Sequence, residues 1–183
     1  MIICVAGMPG SGKGVFKKAA EALGIPRISM GDIVRRETAR RGLTPDYHNT
    51  ARIMLELRRE AGPEVFAKLT WEEVSSAKEP AILIDGVRSL DEVDYFKQFG
   101  DTVVVAVHSS PRTRFERLRK RGRPDDVKTY EEFEERDARE LSVGLGSVIA
   151  LADYMLVNEG ISEEKAVKRA REILEVVLDR RAA

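Results

Sequence analysis

Cysteine is almost missing from this sequence. The single thiol, Cys4, lies in an apolar run from Ile2 to Ala6, where a small buried side chain is the expected role. Histidine is nearly as scarce. His48 and His108 stand alone and read as structural, and no Cys/His cluster has the spacing of a metal site. Net charge is absent, since 31 Lys and Arg balance 31 Asp and Glu. A neutral chain has no bulk attraction to nucleic acid or an anionic membrane, so each basic cluster must be argued locally. No apolar run approaches the length of a membrane span. The chain opens directly on a core strand, without a signal peptide, so a cytoplasmic protein is expected. Aromatic residues make up only 6% and charged residues 34%, a balance that fits a heat-stable intracellular protein. The length of 183 residues suits one domain with a real core.

What the sequence does have is a glycine-rich loop in a telling place. Gly7-Met8-Pro9-Gly10-Ser11-Gly12-Lys13-Gly14 follows the first apolar run and opens onto Val15 to Ala20, which reads as helix. Strand, glycine loop, helix is the context a phosphate-binding loop requires. Glycines let the backbone N–H groups turn toward a polyphosphate, and the following helix adds its positive end. Lys13 supplies a mobile charge for the outer phosphates. Gly14 stands where the common pattern has Ser or Thr.

Four more segments read as strands, at 25–29, 81–85, 102–107 and 154–157. Of these, 102–107 is a β-branched run suited to burial on both faces. Between the strands lie helix signals. A charged helix is predicted over 33–41. Thr44-Pro45 offers an N-cap and a first-turn proline for a helix reaching about Ala61, broken at Gly62-Pro63. Thr70 and Glu73 have capping-box spacing, as do Ser89 with Glu92 and Thr129 with Glu132. Ser110-Pro111 opens a helix that ends in a basic run, Arg117 to Arg123. Ser162 starts a final helix with Val167, Ala170, Leu174, Val177 and Leu178 on one face.

Strands alternating with helices predict an α/β fold, a three-layer αβα sandwich around a parallel five-stranded sheet. We expect a single P-loop NTPase domain with its core at 1–29 and 79–183, a helical acceptor-binding insertion at 30–78 and a short lid at about 121–128. Ligands in such folds bind beyond the C-terminal strand ends. Residues 7–14, 29–32, 85–88 and 158–160 all fall there.

Asp85 ends its strand where a bound triphosphate would lie, and a carboxylate there can hold Mg²⁺. Arg88, with Arg35 from the insertion, can grip a second phosphate group in bidentate fashion. Arg121 and Arg123 sit beside a Gly/Pro break, as in a lid that neutralises transition-state charge. An RNA-binding patch is the competing reading of that basic run, and the lack of stacking aromatics weakens it.

These motifs resemble those of nucleoside monophosphate kinases. Residues 7–14 look like the G-x-P-G-x-G-K-G of adenylate kinases. Ser29-Met30-Gly31-Asp32-Ile33-Val34-Arg35 looks like their S-x-G-D-x-x-R, which implies acceptor-phosphate binding at Gly31 and Arg35. Asp85-Gly86-Val87-Arg88 is similar to their D-G-x-x-R, implying a magnesium-linked Asp85 and a second acceptor-phosphate arginine. Gly122-Arg123-Pro124-Asp125-Asp126 resembles their lid motif G-R-x-D-D, and Arg136 falls where those kinases have another lid-side arginine. Residues 152–160 look like the A-D-x-x-I-x-N-x-G of dephospho-CoA kinases, which implies that Asn158 and Gly160, with Arg117, lie near the donor adenine. As a whole the chain most resembles adenylate-kinase-like proteins sometimes labelled dephospho-CoA kinase-like.

The resemblance implies ATP and Mg²⁺ as cofactors, with ATP cradled by residues 7–15. It implies Lys13, Arg88, Arg121 and Arg123 as catalytic residues and a small nucleotide such as AMP as acceptor. Two alternatives accompany it. One is phosphorylation of a ribose hydroxyl in dephospho-CoA kinase fashion, with Asp32 as the base. The other is a nucleotide-binding regulator with weak ATPase activity. Three departures bear on these. Val15 stands where adenylate kinases have Thr, which leaves Ser11, Asp85 or water for Mg²⁺. Only Gly122 separates Arg121 from Arg123, so the lid is short. Residues 36–78 carry no recognisable base-reading motif. No membrane or nucleic-acid partner is expected, and the oligomeric state is not legible.

Overall fold

The computed structural model describes residues 1–76 and 79–179. Residues 77–78 of the expected insertion and 180–183 of the expected core lie outside the described residues. Strand β1 (Ile2–Ala6) is the centre of the molecule, and all five of its residues are buried. Its alternation splits the core in two. Ile3 and Val5 face one helix layer, while Ile2, Cys4 and Ala6 face the other. Cys4 is fully buried, and burial pushes its thiol far above the ordinary range, so it packs and does not react.

The sheet holds β1 with β2 (Arg27–Ser29), β3 (Ile82–Asp85), β4 (Thr102–His108) and β5 (Tyr154–Val157). Every pairing is parallel, in the order β2-β3-β1-β4-β5. Helices α1 (Gly14–Ala22) and α9 (Glu163–Asp179) cover one face. Phe16, Ala19, Ala170 and Leu174 fill the space between them and the sheet. The other face is covered by α2 (Met30–Arg40), α3 (Tyr47–Ala61), α4 (Val65–Val74), α5 (Leu90–Lys97) and α8 (Leu145–Ala150). Met30, Ile53, Phe66, Phe96 and Leu145 make that half of the core. The remaining helices, α6 (Pro111–Arg121) and α7 (Tyr130–Ser142), flank the C-terminal strand ends. Beneath the segment that joins them, Val127 packs with Tyr47, Leu118 and Phe133 in a small third core. No helix among the described residues is long and apolar enough to cross a membrane.

The expected α/β architecture is found, with local corrections. β2 begins at Arg27 and α2 at Met30, so strand passes to helix without a loop. The cap of α3 is Asp46, whose side chain accepts from Asn49 N at 2.8 Å; Thr44-Pro45 lies in the turn before it. Thr70 is interior to α4, where its hydroxyl donates to the Phe66 carbonyl at 2.6 Å and caps nothing. Gly144, at φ +104°, ends α7 and starts α8, a break the sequence did not signal. Both other capping boxes, Ser89 with Glu92 and Thr129 with Glu132, are formed in full.

Candidate active site

The phosphate loop leaves β1 at the C-terminal edge of the sheet, where β3 and β4 flank it on either side. Helix α6 packs hard against the loop. A Cβ on Gly10 would lie 2.5 Å from the Arg114 carbonyl oxygen, and its φ of +82° also demands glycine. Two donors converge on one loop carbonyl: Arg117 Nη1 at 3.1 Å and Asn158 Nδ2 at 3.0 Å donate to Ser11 O, and Ser109 Oγ, 3.1 Å from the same oxygen, lies closer to the Asn158 carbonyl at 2.7 Å. The loop is thus held from beneath and from the side, while the N–H groups of Gly10, Gly12 and Lys13 have no partner among the described residues. Free donors on a rigid loop suit a polyphosphate.

Lys13 folds back on the loop and donates to the Gly7 carbonyl at 2.6 Å. Burial pushes its ammonium down to about 8; Arg88 and Arg121 push the same way, and Asp85 and Glu140 oppose them. Asp85 ends β3 beside it. One carboxylate oxygen lies 3.6 Å from Arg27 Nη2, and the other is buried with no hydrogen-bond partner. An orphaned carboxylate oxygen beside the phosphate loop fits a hard cation. Ser11 does not fit the same role. It is fully buried under the loop, its hydroxyl also lacks a partner, and it does not line the cleft. Val15 has no ligand atom to offer.

Across the cleft stand the arginines. Lys13, Arg35, Arg88, Arg121, Arg123, Arg136 and Arg139 line it against three carboxylates, Asp85, Asp125 and Glu140. Arg35 projects from α2, donating Nη1 to Asp125 at 2.8 Å and Nη2 to Asp32. Burial would raise the Asp32 carboxyl, but the bond to Arg35 and the charges of Arg35, Arg27 and Arg123 hold it below the ordinary range. A carboxylate so stabilised is a weak base. Arg88 follows β3 and bonds Glu140 on α7 at 2.9 Å. Arg121 grips Asp126 through Nε at 2.9 Å and through Nη2. Arg136 donates to the Asp125 carbonyl at 3.0 Å. Arg123 is exposed, and its guanidinium makes no hydrogen bond or close ion pair among the described residues, acting on Asp32 only through its charge.

The structure therefore gathers most of the expected site. Gly7, Pro9, Gly10 and Gly31 line the cleft with the charged groups. Gly12, Gly14, Val15, Asp32, Arg117 and Asn158 line its extension beside α6 and β5. Met8 packs instead against the core, and Gly160, at φ +63°, turns the chain after β5 without lining either space. Sequence reading missed several groups. Arg114 is buried, pairs with Asp137 at 2.8 and 2.5 Å and donates to the Pro9 carbonyl at 3.2 Å. Its spacing three residues before Arg117 on one helix carried that signal. Glu140, and Arg139 stacked 5.1 Å over the Tyr47 ring, carried none.

The chain matches the AAA-domain family over residues 6–134. It is 55% identical to a protein of Hyperthermus butylicus designated UPF0200, over 95% of this chain and 93% of that protein. A Thermococcus onnurineus protein of the same designation is 49% identical, over 97% and 98%. Among solved structures, shikimate kinase from Bacteroides thetaiotaomicron superposes with a TM-score of 0.62 at 23% identity, covering 96% of this chain and 98% of that one. Shikimate kinase from Acinetobacter baumannii, in complex with shikimate, gives 0.59 at 21%, covering 98% and 93%. The fold is that of P-loop kinases.

Proposed function

The chain belongs to the UPF0200 family, and we propose that it is an ATP-dependent kinase that passes the γ-phosphoryl group to a small acceptor carrying a phosphate of its own, a nucleoside monophosphate such as AMP. The observation that carries this reading is the charge of the cleft, where seven cationic side chains outnumber the five carboxylates that line it or bind them, Asp32, Asp85, Asp125, Asp126 and Glu140. One triphosphate on the loop does not require so many. A second phosphate group, between Arg35 and Arg88, accounts for the rest.

Phosphoryl transfer needs alignment and charge neutralisation more than covalent help. On this reading the loop N–H groups and Lys13 hold the donor phosphates, and Arg35 and Arg88 hold the acceptor phosphate in line. Arg121 and Arg123 act as the lid arginines, with Arg123 free to reach the transferring group. Asp85 would hold Mg²⁺, which when bound neutralises the donor's β- and γ-oxygens. A phosphate oxygen is already an anion and needs no base, in accord with Asp32 being tied to Arg35. Val34, Ala51 and Met54 give the cleft an apolar wall suited to a base. The segment expected at 30–78, described over 30–76, then serves as the acceptor-binding insertion and about 121–128 as a short lid.

Phosphorylation of a hydroxyl is the second reading. It takes the form of ribose-hydroxyl phosphorylation in dephospho-CoA kinase fashion and draws on Asp32 at the cleft extension, which must part from Arg35 to act as the base. Titration of AMP and other nucleoside monophosphates into the protein separates the two. The first reading expects Arg35→Ala and Arg88→Ala each to weaken acceptor binding at least tenfold, about the worth of one charged hydrogen bond, with ATP binding retained. Unchanged acceptor binding in the double variant would sink it.

A further inference from the structure

Glu140 has no part in the reaction as proposed, yet it sits at the heart of the cleft. It projects from α7, is buried, and lines the cleft beside Arg88 and Arg136. Burial alone would raise its carboxyl; Arg88, Arg136, Lys13 and Arg139 together hold it below the ordinary range, so it stays an anion. Its partner geometry is specific. Arg88 donates Nε to Glu140 at 2.9 Å and Nη1 to the Gly86 carbonyl at 2.8 Å. Two of its five N–H groups are thereby engaged, and the second N–H of Nη1 and both of Nη2 are left for a ligand.

A long arginine side chain without such anchors loses rotamer entropy each time it binds. It would also be repelled by Arg136. We propose that Glu140 is the positioning residue for Arg88. It locks the guanidinium so that the free N–H groups of Nη1 and Nη2 meet the acceptor phosphate, and its charge allows Arg88 and Arg136 to stand side by side before any anion arrives. This rests on the reading that Arg88 binds the acceptor phosphate. Glu140 itself touches no reacting atom.

The test uses the full chain saturated with a non-hydrolysable ATP analogue and Mg²⁺, so that the loop is filled. Inorganic phosphate is the probe of the remaining anion site, titrated by calorimetry into wild type, Arg88→Ala, Glu140→Gln, Glu140→Asp and the Arg88→Ala/Glu140→Gln double variant. At about pH 6, where Lys13 carries its proton with or without the Glu140 charge, we expect Glu140→Gln to weaken phosphate binding about tenfold with the affinity for the ATP analogue unchanged, and to do less than about twofold further harm once Arg88 is gone, as coupled neighbours do. Glu140→Asp, which keeps the charge but shortens the reach, should lose less than Glu140→Gln; it also carries the test if Glu140→Gln does not fold. A merely structural glutamate would give additive losses and would weaken the ATP analogue too. If Arg88→Ala weakens phosphate binding while both Glu140 variants leave it intact, or if the losses add, the positioning role is wrong. Phosphate binding indifferent to Arg88→Ala overturns the acceptor reading, and this inference with it.

Discussion

On the proposed reading donor binding turns on Lys13, and the surroundings of this residue would make that binding depend on pH. Burial lowers its ammonium to about 8, well under the ordinary lysine value. Phosphate oxygens favour the protonated form, so a bound nucleotide raises the value again. Below pH 8 the free protein already carries the proton and affinity is level. Above it, affinity should fall by up to about tenfold per pH unit, with one proton taken up on binding. Calorimetry of ATP binding in buffers of different ionisation enthalpy measures both, and Lys13→Ala should abolish the slope. Gly10 makes a second residue-scale case. A methyl there meets the Arg114 carbonyl and needs a left-handed backbone, so Gly10→Ala should displace the loop and cost at least tenfold in ATP affinity. At this scale the loop was legible because its glycines and lysine are adjacent in sequence. Ser11 was misplaced because spacing along a loop does not say which side chain faces down, and its packing under Gly7 is a tertiary fact.

Helix α5 shows how one element joins the site to its support. Ser89 caps it, and Glu92 closes the box by accepting from the N–H groups of Arg88 at 2.6 Å and Ser89 at 3.3 Å. The same carboxylate pairs with Arg58 on α3, itself stacked over Phe66 of α4. Removing it would leave a buried guanidinium unpaired. Glu92→Ala should therefore cost about 3–5 kcal/mol in urea unfolding, against about 1 kcal/mol for Ser89→Ala, which loses only a cap. Equal small losses would show the pair to be unimportant. The capping box was readable from Ser89 and Glu92, whose bonds are local. The identical spacing of Thr70 and Glu73 misled, because a threonine inside a helix can satisfy itself on the carbonyl four residues back. The Arg58–Glu92 pair spans 34 residues and leaves no local mark.

The whole molecule places its charges by topology. Parallel strands bring the loop after β1, Arg35 after β2 and Arg88 after β3 to one sheet edge. Alternating strands and helices announced that much in the sequence. That the proposed lid is too short for large closure was legible in the single Gly122 between Arg121 and Arg123; the anchors that hold it were not. Asp126 is buried and bound by Arg121, Asp125 is bound by Arg35, and Val127 is sunk in the small third core. A segment anchored at three successive residues swings little, so closure should be confined to side chains such as Arg123. Hydrogen exchange with and without ATP should show protection gained at the loop and unchanged within about twofold over 125–133; strong protection of that whole segment on binding would mean a larger movement.

The central claim is that the γ-phosphoryl group of ATP leaves for a phosphate-bearing acceptor. The most direct measurement follows γ-labelled ATP with Mg²⁺ against AMP, CMP, UMP, GMP, dAMP and dephospho-CoA, with Lys13→Ala as the control. Label should appear on one nucleoside monophosphate, Lys13→Ala should abolish the transfer, and loss of Arg35 or Arg88 should reduce it. Label found on none of them, or released only as inorganic phosphate while ATP and a monophosphate both bind, would contradict the claim.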